Sequence, residues 1–168
     1  YTVRYLEKGT DNQLSSEVTV PNQTFDTSVN AADHIIHITG YKFDSAEPET
    51  LTIAAEGNVI TLYYVKDESK TNTVSYKIHY FVDGVERTGD MISKSEEVWV
   101  NDPQVIELKD EIAPADKYTG YKLSDENAEF PTVGTKVGPT VEYNVYYVAR
   151  TDLTYTVKYL WTDGMGSG

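Results

Sequence analysis

Three histidines and several acidic runs are the side chains of this sequence whose types and spacing suggest chemistry. His34 and His37 are three residues apart, a spacing that places two zinc or nickel ligands on one face of a helix. The chain has no cysteine and no third histidine nearby, so we expect a partly exposed helix face here. His79 lies in an alternating pattern, and we expect it at a polar surface position of a strand.

The acidic residues suggest calcium more than catalysis. The run Asp125-Glu126-Asn127-Ala128-Glu129 is rich in oxygen ligands, although it lacks the Asp-x-Asp-x-Asp-Gly spacing of a calcium loop. Adjacent acids such as Glu96 and Glu97 point to opposite faces of a strand and do not form a catalytic pair. No base stands beside a candidate nucleophile. The sequence therefore predicts no enzyme and no cofactor, with calcium at 125–129 as the alternative.

The charge of the chain excludes two classes of partner. Its formal net charge is −13, from 14 Lys and Arg against 27 Asp and Glu. A nucleic-acid-binding surface needs cations to neutralise phosphates, and anionic lipid attracts cations as well. The sequence also has no apolar run of membrane-spanning length. We therefore expect neither nucleic-acid binding nor membrane insertion.

The elements that position these residues come from an internal repeat. Tyr-Thr-Val-Arg-Tyr-Leu at residues 1–6 returns as Tyr-Lys-Ile-His-Tyr-Phe at 76–81 and as Tyr-Thr-Val-Lys-Tyr-Leu at 155–160. Each copy alternates with a period of two, as does a β-strand with one face on a core. The repeat predicts one unit at 1–70, a second at 71–152, and at 153–168 the first strand of a third unit plus a vector-derived tail. We expect the strand at 155–160 to be ordered only where it pairs with another strand.

Each unit is predicted to contain a hairpin, a short helix and a long final strand. In the first unit the helix falls at 30–38, with Asn30 as its N-cap and Gly40 after its end. In the second unit it falls at 106–113, where Pro114 limits it. Asp83-Gly84 is a strong turn signal between two strands. The polar stretch at 66–73 is predicted to link the units.

The final strands align and assign their faces. Ile60, Leu62 and Tyr64 fall on Tyr143, Val145 and Tyr147, so this set is predicted to face the core. Tyr63 and Tyr146 fall on the opposite face. The chain has 14 tyrosines, which we expect to be mainly structural because Tyr suits small sheets whose edges touch water, while exposed Tyr also suits a recognition surface. Tyr63 and Tyr146 are therefore candidate ligand-binding residues.

Trp99 is the third candidate ligand-binding residue. It stands where the first unit has Thr19, between Val98 and Val100. An exposed indole offers a flat apolar face on which a pyranose ring stacks. Packing between the units and filling of a core are the other roles that the position allows.

These motifs resemble the MucBP (mucin-binding-protein) repeat of Gram-positive cell-surface proteins. The resemblance rests on Tyr-Thr-Val-Arg-Tyr-Leu-Glu-Lys-Gly at 1–9, Thr-Gly-Tyr-Lys-Phe at 39–43 and Ile-Thr-Leu-Tyr-Tyr-Val at 60–65, with counterparts at 76–81, 119–123 and 145–148. It implies a mainly β (α+β) fold of two tandem β-grasp-like, ubiquitin-like repeats.

For function, the resemblance implies a non-enzymatic module of an extracellular, cell-wall-attached adhesin. Its expected partners are mucin or other host glycoprotein glycans and neighbouring repeats of its own chain. Two further hypotheses stay open. The repeats are a structural stalk that projects a distal domain, or they bind proteins through an exposed strand edge.

Overall fold

The computed structural model describes residues 1–151, which form two compact units. The first unit consists of Tyr1–Thr73 and Glu97–Gln104, and the second of Val74–Glu96 and the chain from Val105 onward. The strand predicted at 155–160 and the tail after it lie outside the described residues. No helix in residues 1–151 is long and apolar enough to span a membrane.

The first unit is built on a four-stranded mixed sheet. The sheet has the order β2-β1-β6-β4, in which β1 runs parallel to β6 and the other pairs are antiparallel. A smaller antiparallel pair joins β3 to β5. The strands are β1 (Thr2–Glu7), β2 (Gln13–Thr19), β3 (Ser28–Asn30), β4 (Tyr41–Glu47), β5 (Thr50–Thr52) and β6 (Val59–Lys66). The predicted first hairpin is confirmed, and the long final strand β6 lies inside the sheet between β1 and β4.

The second unit repeats this plan. Its sheet has the order β11-β13-β7-β8, with β9 also paired to β7, and again the first strand runs parallel to the last. Asp83 and Gly84 both have positive φ, 49° and 81°, and close the two-residue hairpin that their sequence predicts. The strands are β7 (Thr71–Val82), β8 (Val85–Glu86), β9 (Ile92–Trp99), β10 (Ile106–Glu107), β11 (Tyr121–Leu123), β12 (Lys136–Val137) and β13 (Thr140–Ala149).

The two sheets share one register. Tyr5 lies opposite Leu62 in the first unit, and Tyr80 lies opposite Val145 in the second. These are the positions that the sequence alignment equates. Equivalent positions of the two units therefore face the core. A shift of one residue in the register would turn every side chain of the strand to the other face.

Aliphatic and tyrosine side chains make up both cores, and the described residues include no buried polar or charged side chain. Burial of each large aliphatic side chain stabilises the fold by about 1.5–3 kcal/mol. The predicted core face is confirmed for five of its six positions, while Tyr143 is half-buried. The most completely buried side chains are Val3, Ile60, Leu62, Tyr64, Val74, Tyr76, Ile78, Tyr80, Leu108, Ile112, Val145 and Tyr147.

Tyrosine hydroxyls hold the irregular segment that crosses over each sheet, here called the crossover segment (residues 31–38 in the first unit and 106–114 in the second). In the first unit Tyr5 donates to the backbone oxygen of His34 at 2.8 Å. Tyr64 donates to the oxygen of Ile36 at 2.9 Å and accepts from its N–H at 3.0 Å. The hydroxyl of Tyr1 lies 2.7 Å from Nε2 of His34. Three tyrosines thus satisfy polar groups that a loop over a core would otherwise bury unpaired.

The equivalent tyrosines of the second unit do the same. The hydroxyls and their acceptors are Tyr76 with Asp110 Oδ2 (2.5 Å), Tyr80 with the oxygen of Ile112 (2.8 Å) and Tyr147 with the oxygen of Pro114 (2.6 Å). Tyr1, Tyr5 and Tyr64 correspond to Tyr76, Tyr80 and Tyr147 in the shared register. Much of the tyrosine content of the chain is therefore structural.

Both predicted helices are wrong, the first in its extent and the second in its existence. The helix at 30–38 is a single 3₁₀ turn, Ala31–His34, and the chain is already extended at Ile35. The hydroxyl of Tyr64 takes both backbone groups of Ile36, which a longer helix would need for its own bonds.

No helix forms at 106–113. Ile106–Glu107 pairs with β12 instead, and Leu108 continues this pairing by bonding to Thr135 and Gly134. Among the described residues of the second unit, the one helical turn is Thr88–Asp90, a 3₁₀ turn after the hairpin.

Candidate functional site

Tyr63 lies beside a shallow cavity on the outer face of the first sheet. The cavity has a volume of about 370 Å³ and is lined by Lys8, Gly9, Asp11, Ser45, Glu47 and Tyr63. β6 places Tyr63 opposite Leu6 of β1, so the ring stands on the side of the sheet away from the core. The other walls come from the turn after β1 and from β4. The aromatic ring of Tyr63 thus adjoins a cation, two carboxylates and a hydroxyl group.

An ion pair fixes the rim of this cavity. Lys8 Nζ lies 2.7 Å from Asp44 Oδ2, and the Ser45 hydroxyl donates to the same oxygen at 2.8 Å. The hydrogen bonds from Lys8 and Ser45 lower the pKa of Asp44. The pair is exposed and contributes little to stability. It does hold the Lys8 ammonium group at the edge of the cavity, where it can donate to a ligand oxygen.

Tyr146 occupies the equivalent position in the second unit. Its ring stacks on Phe81, its neighbour across β7, with centroids 5.0 Å apart and planes 26° apart. Its backbone is also fixed, because Asn127 accepts from the Tyr146 N–H at 2.8 Å and donates to its oxygen at 2.9 Å. Stacking on Phe81 covers one face of the ring, so the edge, the hydroxyl and at most one face of Tyr146 are left for a ligand.

Trp99 belongs to the first unit and is half-buried. Its Nε1–H is shared between the backbone oxygens of Gly40 and Asp67, each at 3.1 Å. The Tyr41 ring meets it edge-on at 5.4 Å, and Lys66 Nζ lies 4.4 Å from its centroid. One face and the polar edge of the indole are therefore engaged by protein groups.

The segment around Trp99 is held at several further points. Asn101 Nδ2 donates to the oxygen of Thr39 at 2.9 Å, and Val100 N–H to the oxygen of Lys70 at 2.9 Å. Glu97 accepts from the hydroxyls of Thr71 and Thr73. These bonds lower the pKa of Glu97. Together they account for the grouping of Glu97–Gln104 with the first unit, which the sequence repeat did not predict.

His79 is not simply a polar surface residue. Its Nδ1 lies 2.9 Å from Glu86 Oε2 and its Nε2 lies 2.6 Å from Glu142 Oε1. The hydrogen bonds to Glu142 and Glu86 raise the pKa of His79. This cluster could not be found from sequence spacing, because Glu142 is 63 residues from His79. The parallel pairing of β13 with β7 brings the two residues together.

The remaining candidates do not assemble a recognisable reaction centre or metal centre. His34 bonds to Tyr1, and His37 is exposed. In the described part of the chain no group of three or more His, Asp or Glu side chains is placed to hold a metal ion. In the run at 125–129, Asn127 already uses its side chain on Tyr146. Calcium binding by that run stays a prediction.

Sequence reasoning did not find a larger cavity of about 450 Å³ in the first unit. Asn30, Asp33, Phe43, Glu49 and Thr50 are among the residues that line it. The 3₁₀ turn and the start of β5 bring these residues together, and no motif in the sequence marks them.

Two solved structures are similar to this chain. The crystal structure of Mub-RV aligns with 89% of this chain and 97% of its own chain, with 14% sequence identity and a TM-score of 0.34. The type 2 repeat of the mucus binding protein MUB from Lactobacillus reuteri aligns with 89% of this chain and 98% of its own, with 14% identity and a TM-score of 0.30. No protein-family model and no curated protein matches the sequence.

Proposed function

We propose that this chain is a non-enzymatic repeat module of a bacterial cell-surface adhesin and contributes to adhesion to mucus or host glycans. Support comes from the motifs at 1–9, 39–43 and 60–65, which resemble mucin-binding repeats and recur in the second unit. Each unit is also a mixed sheet whose first and last strands run parallel under a crossover segment, which we interpret as β-grasp-like. We place the parent protein outside the cell, attached to the wall.

The observation that carries the binding proposal is the cavity at Tyr63. A sugar offers C–H faces that pack on an aromatic ring and hydroxyls that bond to charged side chains. Tyr63 supplies the ring, and Lys8, Asp11 and Glu47 supply donors and acceptors around it. The cavity is shallow, so one site binds weakly. Repetition along a chain multiplies weak contacts into useful avidity.

Tyr146 and Trp99 complete the candidate ligand-binding residues. Tyr146 contributes a hydroxyl and a ring edge at the equivalent place in the second unit. Trp99 retains a partly exposed surface, although its N–H and one face are engaged. We therefore rank Tyr63 first, Tyr146 second and Trp99 third.

The position of Trp99 favours a second candidate function, a structural spacer. An indole that binds two backbone oxygens and packs on Tyr41 anchors Glu97–Gln104 within the first unit and stiffens that unit. A chain of such units projects a distal domain without binding anything itself. Spacer and adhesin differ in one measurable property, the affinity of the units for glycans.

Binding to immobilised mucin and to a glycan array tests the proposal. We expect wild-type protein to bind with millimolar to high micromolar affinity per site, and Tyr63→Ala to lose about tenfold, equivalent to about 1.4 kcal/mol. Phe25→Ala is the matched control, because Phe25 is a 63% exposed aromatic residue of the same unit that does not line this cavity. Unchanged binding by Tyr63→Ala contradicts the site. No binding by wild type at millimolar glycan favours the spacer, and concentration-dependent self-association would favour the strand-edge hypothesis.

A further inference from the structure

The charges around the cavity at Tyr63 are unbalanced in favour of carboxylates. Among the described residues that line it, Lys8 is the one cation, and Asp11 and Glu47 are the two acids. Asp44 lies 2.7 Å from the Lys8 ammonium group, so this cation is already paired. Both Asp11 and Glu47 are exposed, and neither forms an ion pair within residues 1–151. The cavity therefore offers two unpaired carboxylates to a ligand.

Two further cations of the same sheet face act on other carboxylates. The strand registers place Arg4 and Lys42 on the outer face, and neither lines the cavity. Arg4 pairs with Glu17 at 2.9 Å. The pKa of Asp67 is lowered by hydrogen bonds from Ser69 and, to a smaller extent, by the charge of Lys42. The charge of the cavity is therefore set by its own lining residues.

The second unit has an acid where the first unit has Lys8. Lys8 N–H donates to the oxygen of Tyr64 at 2.9 Å, and Asp83 N–H donates to the oxygen of Tyr147 at 3.0 Å. Tyr64 and Tyr147 are equivalent in the shared register, so Asp83 occupies the place of Lys8. The turn that follows the first strand thus brings no cation to this place in the second unit, whose outer-face tyrosine is Tyr146.

We propose that the site at Tyr63 selects uncharged pyranose sugars and disfavours sugars that carry a carboxylate or a sulfate group. This inference rests on the proposed function, the binding of glycans at this cavity. The hydroxyl of a neutral sugar can donate to Asp11 or Glu47, because a carboxylate only accepts hydrogen bonds. An acidic sugar instead brings a third negative charge beside these two groups. In a cavity of about 370 Å³ the ligand lies closer to the lining charges than the Debye length of about 10 Å at 0.1 M salt, so the repulsion persists.

Three related ligands separate the effect of charge from that of size. They are a neutral galactosyl-N-acetylgalactosamine disaccharide, the same disaccharide with a terminal sialic acid, and the methyl ester of the sialylated form. The amide shifts of Tyr63 and Ser45 in the ¹⁵N-labelled chain measure each affinity. We expect the sialylated ligand to bind about fivefold more weakly than its ester at low salt, from two exposed like-charge contacts. The difference should fall below about twofold at 1 M salt, where the Debye length is about 3 Å.

A double variant removes the two charges and keeps the size of the side chains. In Asp11→Asn with Glu47→Gln, the asparagine tolerates the positive φ of 58° that Asp11 has. The ratio of the ester affinity to the sialylated affinity should fall from about fivefold to below about twofold. The matched control is Asp26→Asn with Glu56→Gln, which changes the net charge equally. Asp26 has a φ of 65°, both control residues are exposed, and neither lines the cavity, so the ratio should stay at its wild-type value.

The outcomes distinguish this inference from the proposed function. Equal affinities of the wild-type chain for the ester and the sialylated ligand overturn the inference and leave glycan binding at Tyr63 in place. A ratio that falls as far in the control variant also overturns it, because the net charge of −13 on the whole chain is then the cause. Absence of binding by all three ligands at millimolar concentration refutes the proposed function, and the inference with it.

Discussion

Alanine at Gly40 and alanine at Gly120 should have different costs, although the two glycines have almost the same backbone conformation. Both substitutions place a Cβ at φ near +85°, which costs about 1–2 kcal/mol in the left-handed region. At Gly40 the new methyl group also meets Asn101 and Trp99 at 2.5 and 2.9 Å. Overpacking of this kind costs about 1–3 kcal/mol. We therefore expect Gly40→Ala to destabilise its unit by about 2–5 kcal/mol, and Gly120→Ala by about 1–2 kcal/mol.

Native-state hydrogen exchange measures both effects in their own units. The exchange of core amides in β6 reports the first unit, and that of β13 reports the second, so the free energies of opening are compared separately. A double-mutant cycle then assigns the cause. In the Trp99→Ala background the extra cost at Gly40 should fall by at least about 1 kcal/mol, because the ring that the methyl group meets is gone. Equal costs at the two glycines, or an extra cost that survives without Trp99, would refute the packing argument.

Three further predictions concern the tyrosines and His79. Tyr80→Phe should lower the free energy of unfolding in urea titrations by about 1–3 kcal/mol, because it leaves the oxygen of Ile112 buried without a donor. As the control, Tyr121→Phe removes a hydroxyl with no hydrogen bond in the described chain and should cost less than about 0.5 kcal/mol. Burial raises the pKa of Tyr80 to about 12, so its neutral form stabilises the fold fully below pH 10, and this contribution is lost as the pH rises from 10 towards 12. Absorbance at 295 nm should show that ionisation of Tyr80 is coupled to unfolding. Titration of Tyr80 near pH 10 in the folded protein would count against this prediction. NMR titration should give His79 a pKa above 6.5, so that its contribution to stability is complete below pH 6.5 and lost as the pH rises through the folded value; a pKa at or below 6.5 would count against the bridge to Glu142.

The sheets could be predicted from the sequence because their information is local and periodic. Alternation over 1–6 and 76–81 determines which side chains face the core, and the repeat predicts the same order of elements in both units. The same alternation places Tyr63 and Tyr146 on the outer face, where the structure has them.

The crossover segments could not be predicted, because their conformation is set from a distance. The stretch at 30–38 has a cap and a stop signal for a helix. The Tyr64 hydroxyl, 28 residues away, instead bonds both backbone groups of Ile36. Local propensity is a weak prior that such tertiary contacts override.

The anchoring of Trp99 also lies beyond local pattern. The alternation of its strand predicts only on which face of the sheet the Trp99 side chain lies, and not which residues it contacts. The partners Gly40 and Asp67 are 59 and 32 residues away in sequence and become visible only through the fold. The cavity at Tyr63 is similar, since the turn after β1, β4 and β6 each contribute to it.

The central claim is that the outer face at Tyr63 binds host glycans, and chemical-shift mapping with mucin-derived O-glycans tests it most directly. The account predicts saturable shifts that cluster at Tyr63, Ser45 and Glu47, weaken in Tyr63→Ala, and persist in Phe25→Ala. Shifts that cluster elsewhere, or no shifts at millimolar glycan, would contradict it.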